Sequence, residues 1–153
     1  MAHEVKTPLA VLRGYAELLA NRQDGDILRD APEAILEAAK RLAPAVDDLL
    51  LALEIQNGLE ARSEPVDLAD LLPGATQPLA VAGDVRLLER AVEILDSESN
   101  GVSITAANGV ATVVAGKAPR NQLEVFLARL IAEAHGGDLR ESSTGLVMTL
   151  PLV

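Results

Sequence analysis

Between Val5 and Leu19 the apolar residues recur at alternating spacings of four and three, at Val5, Leu9, Leu12, Ala16 and Leu19. An average near 3.5 is the seam of a helix that packs along its length against another. Pro8 falls in the first turns, where a missing N–H is tolerated best. NRQDGD (21–26) reads as a turn. A second helix is predicted from DAPE, with Asp30 as N-cap, Pro32 early and Glu33 three residues after the cap. Its seam is Ile35, Ala39, Leu42, Val46, Leu49 and Leu53, with the same alternation. Pro44 lies about 200° round the helix from Leu42, so a kink there points away from the seam. Two helices with one narrow stripe each bury it poorly alone. An antiparallel hairpin that dimerises into a four-helix bundle buries it well. The alternative is a hairpin packed only on the rest of its own chain.

After residue 62 the pattern changes. SEPVDLADLLPGATQP (63–78) reads as a Pro/Gly-punctuated connection with at most one short helix. GDVRLLERAVEILDSES (83–99) is a predicted helix capped by Asp84, with Leu87, Leu88, Ala91, Ile94 and Leu95 on one side. Two β-branched runs then flank Asn108-Gly109, a type I′ hairpin signal. NQLEVFLARLIAEAHGG is a helix ended by Gly136 and Gly137, with His135 in its last turn. The terminal DLRESSTGLVMTLPLV reads as a second hairpin turning near Thr144-Gly145. The expected fold class is α+β. Residues 1–62 form the dimerising hairpin, and residues 63–153 form a small sandwich of two helices on a four-strand, mostly antiparallel sheet.

Composition narrows the chemistry. The apolar half of the chain is almost all Leu, Ala, Val and Ile, with one Phe, one Tyr and no Trp, which suits helix packing. A net charge of −10 argues against nucleic-acid or anionic-membrane partners. With no cysteine there is no disulfide, thiol catalysis or Cys-ligated zinc. Two histidines far apart in sequence make a His-based metal site improbable, so no metal ligands are assigned. No apolar run reaches the ~20 residues of a membrane span. A cytoplasmic chain without membrane insertion is the expectation, and a truncated piece of a membrane protein would look the same.

The candidate chemistry lies at the start. Taking the first seam as 0°, His3 falls near about 160°, Gly14 near about 180° and Thr7 near about 200°. His3 therefore points away from the seam, and Ala10, Gly14 and Leu18 continue a small, partly apolar outer stripe that a partner protein can approach closely. A neutral imidazole has a free lone pair and attacks activated phosphoryl groups. A carboxylate beside it, such as Glu4, can orient the ring or accept its proton. A hydroxyl at i+4, Thr7, lies on the same face and can position a water or a phosphate oxygen. On spacing alone, a solvated histidine near a helix start fits as well. His135 at a helix end is read as a structural cap. Asp47-Asp48 and the acidic residues between Glu60 and Glu64 are read as solvated faces.

HEVKTP at 3–8 resembles the phosphoacceptor box of the two-component sensor histidine kinases, His-Glu-x-x-Thr-Pro. The similarity continues in PLAVLRGYAELL and resumes in RLAPAVDDLLLALEIQNG (41–58), like the second helix of the dimerisation and histidine phosphotransfer domain. The resemblance implies that His3 carries phosphate, that Glu4 assists proton transfer and that Thr7 supports hydrolysis of a partner's phosphate. Only Met1 and Ala2 precede His3, where that family carries more helix. His3 is thus expected in a fraying first turn, unless the chain is cut there.

The second half resembles a reduced form of the same family's ATPase domain, through GDVRLLERAVEILDSE, AEAHGGDL and the TLPL ending. Its nucleotide residues do not match. Glu93 and Ser97 stand where the family has the two asparagines of its Mg²⁺ box, although glutamate also binds Mg²⁺. VVAGKAPRN has no adenine-binding aspartate, and the three glycines of the phosphate loop map onto Arg120, Gln122 and Glu124. Side chains there keep phosphate from the backbone N–H groups, and a carboxylate repels it. The lid is shortened to about five residues between the strand ending at Ala115 and the next helix, and no GxxxxGK motif occurs elsewhere.

The leading expectation is a phosphorelay histidine phosphotransferase, similar to the dimeric ones built from a kinase-like hairpin. It carries phosphate on His3 between the aspartates of response-regulator receiver domains, which bring their own Mg²⁺, and needs no cofactor. The alternatives are an ATP-dependent sensor histidine kinase or its transmitter fragment, a dimeric scaffold or response-regulator phosphatase, and a structural module whose histidine never carries phosphate. Whether the chain is itself an enzyme stays open at this point.

Overall fold

The computed structural model describes residues 2–22, 24–59, 62–72, 75–96, 101–117 and 121–153. Its internal contacts divide it into Met1–Leu51 and Ala52–Val153. Each unit is described by itself.

The first unit is an antiparallel helical hairpin of α1 (Ala2–Asn21) and the greater part of α2 (Gly25–Gln56). Helix α2 starts five residues before the expected cap at Asp30. The reason is Asp24, whose Oδ1 accepts the backbone N–H of Asp26 at 3.1 Å and of Ile27 at 3.5 Å, capping the helix before Asp30 is reached. The helix then runs through Pro32 and Pro44, both exposed. The predicted seams are not the buried stripe of the hairpin. Leu9 is 47 % and Val46 36 % exposed, whereas Pro8, Ala31, Ala38 and Ala45 are buried. The small alanines one heptad apart form the buried stripe of α2, and most of the seam residues, Leu12, Leu19, Leu42 and Leu49 among them, are half-buried. Asp48, expected on a solvated face, is buried. It follows Ala45 by three residues and shares its stripe, whereas Asp47 is exposed.

The second unit opens with a correction. The one short helix expected in residues 63–78 is there, but a strand that the sequence did not announce precedes it. β1 (Glu64–Asp67), α3 (Leu68–Leu71) and β2 (Ala80–Gly83) form a two-stranded antiparallel sheet closed around a helical turn. Asp67 ties it together, its Oδ1 accepting from Leu79 N–H at 2.8 Å and from Ala69 N–H at 3.0 Å. No apolar alternation announces so short a pair.

The remaining elements are α4 (Val85–Asp96), β3 (Val102–Ala107), β4 (Val110–Gly116), α5 (Gln122–Ala134), β5 (Asp138–Ser142) and β6 (Gly145–Pro151). The strands make one antiparallel sheet in the order β3-β4-β6-β5. Its inner face pairs small with large: Ala111 opposite Leu150, Val113 opposite Met148 and Ala115 opposite Leu146, all buried. Helices α4 and α5 cover that face with Leu87, Leu88, Ala91, Ile94 and Leu95, and with Leu123, Leu127, Ala128, Ile131 and Ala132. Asn108 at φ 54° and Gly109 at φ 76° make the predicted β3–β4 turn.

Helix α5 ends in a Schellman motif. Gly136 N–H donates to Glu133 O at 3.0 Å and Gly137 N–H to Ala132 O at 2.8 Å. His135 is buried there and is structural. Its Nδ1–H donates to Ile131 O at 2.7 Å, and its Nε2 accepts the Asp84 N–H at 3.0 Å. One neutral tautomer satisfies both bonds, and it ties the end of α5 to the start of α4.

Candidate functional site

Helix α1 places His3 and Thr7 one turn apart, both exposed. The Thr7 hydroxyl stands 3.4 Å from Nδ1 and 3.3 Å from Nε2 of His3, nearly equidistant from the two ring nitrogens. Glu4 follows His3 and is half-buried. Ala10, Gly14 and Leu18 are all exposed on the same helix, and nothing lies within 4 Å of where a Cβ on Gly14 would stand. The outer stripe expected from the sequence is therefore exposed on α1.

A surface groove of about 360 Å³ runs beside it, with Thr7, Pro8, Val11 and Tyr15 of α1 facing Ala34, Glu37, Ala38 and Arg41 of α2. Sequence reasoning missed this groove. Thr7, Val11 and Tyr15 recur every fourth residue, as do Glu37 and Arg41, and that spacing was its only signal. Thr7 belongs both to the groove and to the histidine's edge.

In the second unit, the residues that the sequence resemblance aligns with nucleotide positions make contacts of their own. Glu93, exposed on α4, pairs with Arg90 at 3.1 Å, and Arg90 reaches Glu124 on α5 at 4.0 Å. At the N-terminus of α5 the Asn121 side chain accepts the Glu124 N–H at 2.7 Å, which leaves a carboxylate in the first helical turn. Five residues separate the end of β4 at Gly116 from the start of α5 at Gln122. Ser97 and Arg120 lie outside the described residues. Among the described residues, no three His, Cys, Asp or Glu side chains are grouped to hold a metal ion.

Geometry thus defines a class: an antiparallel helical hairpin that presents one histidine, joined in sequence to a two-layer α+β unit. Residues 1–58 match the His Kinase A (phospho-acceptor) domain family. The sensor histidine kinase TrcS of Mycobacterium tuberculosis is 40% identical over 85 residues, 53% of this chain and 16% of that protein. The sensory histidine kinase/phosphatase NtrB of Proteus hauseri is 46% identical over 50 residues, 33% of this chain and 14% of that protein. The fold is that of the Acinetobacter baumannii histidine kinase AdeS, with a TM-score of 0.68 over 98% of both chains at 15% identity. The first 58 residues thus match the phospho-acceptor domain of the histidine kinases, and the relatives that the chain resembles are sensor histidine kinases. The chain spans less than a fifth of the length of these two curated relatives. No described helix is long and apolar enough to cross a membrane.

Proposed function

We propose that this chain is the phosphoacceptor part of a sensor-histidine-kinase transmitter and that His3 takes up and gives away the phosphoryl group. The observation that carries the reading is an exposed histidine on α1, followed by Glu4 and one turn from Thr7, within the residues matched to the phospho-acceptor domain. In the forward step a ring nitrogen lone pair forms the N–P bond while the P–O bond to the donor breaks, and the donor oxygen leaves with the electron pair. The other ring nitrogen then loses its proton to Glu4 or water. A response-regulator receiver domain, bringing its own Mg²⁺, docks on the stripe of Ala10, Gly14 and Leu18. There the Thr7 hydroxyl holds a water for hydrolysis of the receiver's phosphate. A second copy of the chain covers apolar side chains that one copy leaves exposed, Leu9, Leu36 and Leu50 among them.

The named relatives are sensor kinases, which favours ATP as the ultimate phosphate source. A second reading, phosphotransfer without ATP in this chain, is favoured by the α5 N-terminus, where Asn121 already occupies the Glu124 N–H and the Glu124 carboxylate repels phosphate. The test offers the protein ATP with Mg²⁺, or a phosphorylated receiver domain, and measures acid-labile phosphate. His3→Gln serves as the control and loses all label. Label from the receiver alone selects phosphotransfer, and label from ATP selects the kinase. Absence of label from both donors overturns the role of His3.

A further inference from the structure

The two edges of the four-stranded sheet are finished differently. At the β5 edge, Asp138, Arg140 and Glu141 put charge on three of five residues, and Arg129 donates from Nε to the Leu139 carbonyl at 3.4 Å. Charged side chains and an occupied carbonyl keep another strand away. At the β3 edge, Val102–Ala107 reads VSITAA, with no charge and no proline. It lies within residues 99–116, the longest stretch of the sequence without a charged side chain.

The hairpin fixes which backbone groups this edge offers. The two-residue turn at Asn108-Gly109 makes Ala107 and Val110 a hydrogen-bonded pair. Pairs alternate from there, so Thr105 and Ser103 also use their N–H and C=O groups on β4. Val102, Ile104 and Ala106 point theirs outward. Among the described residues, no hydrogen bond reaches these outward groups. Beside them, Thr76, Gln77 and Leu79 form with Ile104, Thr105 and Ala106 an uncharged groove of about 280 Å³. Its other wall comes from residues 71–83, the next longest uncharged stretch.

We infer that β3 is a docking edge for β3 of a second copy, running antiparallel, with Ile104 opposite the partner subunit's Ile104 and Val102 opposite the partner subunit's Ala106. Charge and symmetry select this occupant. Each copy carries a net charge of −10, so two copies repel wherever charged surfaces meet, and this edge with its groove brings none. In this register the three outward residues of one copy meet the same three of the other, and a two-fold axis at Ile104 closes the contact. The pairing joins two four-stranded sheets into one. Six residues a side make less than a standard interface, so the contact forms at high protein concentration. It adds to the helical bundle and does not involve His3.

The experiment measures the weight-average mass of the full chain by sedimentation from about 10 μM to about 1 mM, the range that so small a contact calls for. The dilute value carries whatever the hairpin contributes, and only its rise with concentration reads β3. In wild type the mass is expected to rise by about half or more. Thr105→Lys puts a charge on an exposed side chain of the edge, and Ala106→Pro removes an outward N–H without touching the ladder to β4. Both are expected to hold the dilute mass at every concentration. Cooperative thermal unfolding shows that they are folded, and Thr105→Lys decides alone if Ala106→Pro is not. The chain has no cysteine, so a single introduced one reads the register. Under mild oxidation Ile104→Cys is expected to form a disulfide between copies, because directly opposite Cα atoms of such a pair stand about 5.5 Å apart, and Ala106→Cys is not. A wild-type mass that stays at its dilute value, a rise that the folded blocking variants leave intact, or equal cross-linking at the two positions overturns the inference. So does a flat mass with slow hydrogen exchange at Val102, Ile104 and Ala106, which would give the edge to another segment of the same chain.

Discussion

Single residues set the tolerances of this chain. Gly136 and Gly137 follow one another at the end of α5 and are needed for different reasons. Gly136 sits at φ 73°, where only glycine is unstrained. Gly137 has no such φ, but a Cβ there would run into the carbonyl oxygen of Thr149 and come within 3.1 Å of Leu150. Backbone cannot yield as a flexible side chain does, because Thr149 is held in register with Asp138 between β5 and β6. Gly137→Ala is therefore expected to destabilise the fold by about 1–3 kcal/mol, the range for overpacking a close-packed site. Urea unfolding checks this: a lower midpoint at constant slope is the expected outcome, and an unchanged midpoint would show that the strand edge moves aside. At the candidate site the tolerances are of another kind. His3 and Thr7 are exposed, and their substitution should change chemistry without changing stability.

At the scale of elements, legibility followed periodicity. The helices α4 and α5 repeat their apolar residues on one side and the Asn108-Gly109 turn dictates its own backbone, so these were readable from residues alone. The start of α2 was not, because Asp24 and Asp30 are both competent caps and only the structure shows the first one in use. The β1–β2 pair was hidden for a different reason. It is four residues long on each side and held by a side chain from its own end, Asp67, whose two backbone hydrogen bonds leave no sequence pattern. Those bonds, from Leu79 first and then Ala69, hold the Asp67 carboxyl below its usual value of 3.8. A carboxylate lowered in the folded state adds stability above its unfolded pKa, and that stability is lost as pH falls through the folded one. The fold should therefore weaken as pH drops below about 4. Asp67→Asn, which keeps an oxygen acceptor but does not titrate, should flatten that part of the profile. Denaturant midpoints measured from neutral pH into the acid range check it, and parallel profiles for the two proteins would remove Asp67 from the account. The site was legible in the same partial way. His3, Thr7 and the open stripe at Ala10, Gly14 and Leu18 stand where helical geometry puts them, whereas the groove with Glu37 and Arg41 needs the pairing of two helices that no single-helix pattern encodes.

The whole molecule is governed by surfaces that one copy does not use. Leu9, Leu28, Leu36 and Leu50 are each between 47% and 54% exposed on α1 and α2. A hairpin that leaves these four leucines exposed while burying Ala31, Ala38 and Ala45 calls for a second hairpin. Sedimentation should give about twice the 16.0 kDa of one chain. Leu9→Glu, which puts a carboxylate into the apolar centre of the bundle, should give the single-chain mass. A wild-type monomer would overturn the bundle.

The same scale decides what feeds His3, because a nucleotide that binds the folded chain must also stabilise it. A ligand at a hundred times its Kd adds about 2.7 kcal/mol, and for a chain of about 150 residues that raises the thermal midpoint by several degrees. Glu93 and Glu124, which the sequence resemblance aligns with nucleotide positions, are paired with Arg90, and Asn121 caps the Glu124 N–H. Millimolar ATP with Mg²⁺ is therefore expected to leave the midpoint within about one degree of the value with Mg²⁺ alone, a shift too small for a well-occupied site. A rise of several degrees would establish a nucleotide site in the second unit and, with ATP-derived label on His3, make the chain a kinase. An unmoved midpoint with label arriving from a receiver would make the second unit a nucleotide-free partner of the hairpin, with the donor's aspartyl phosphate supplying the energy that ATP supplies to the kinases.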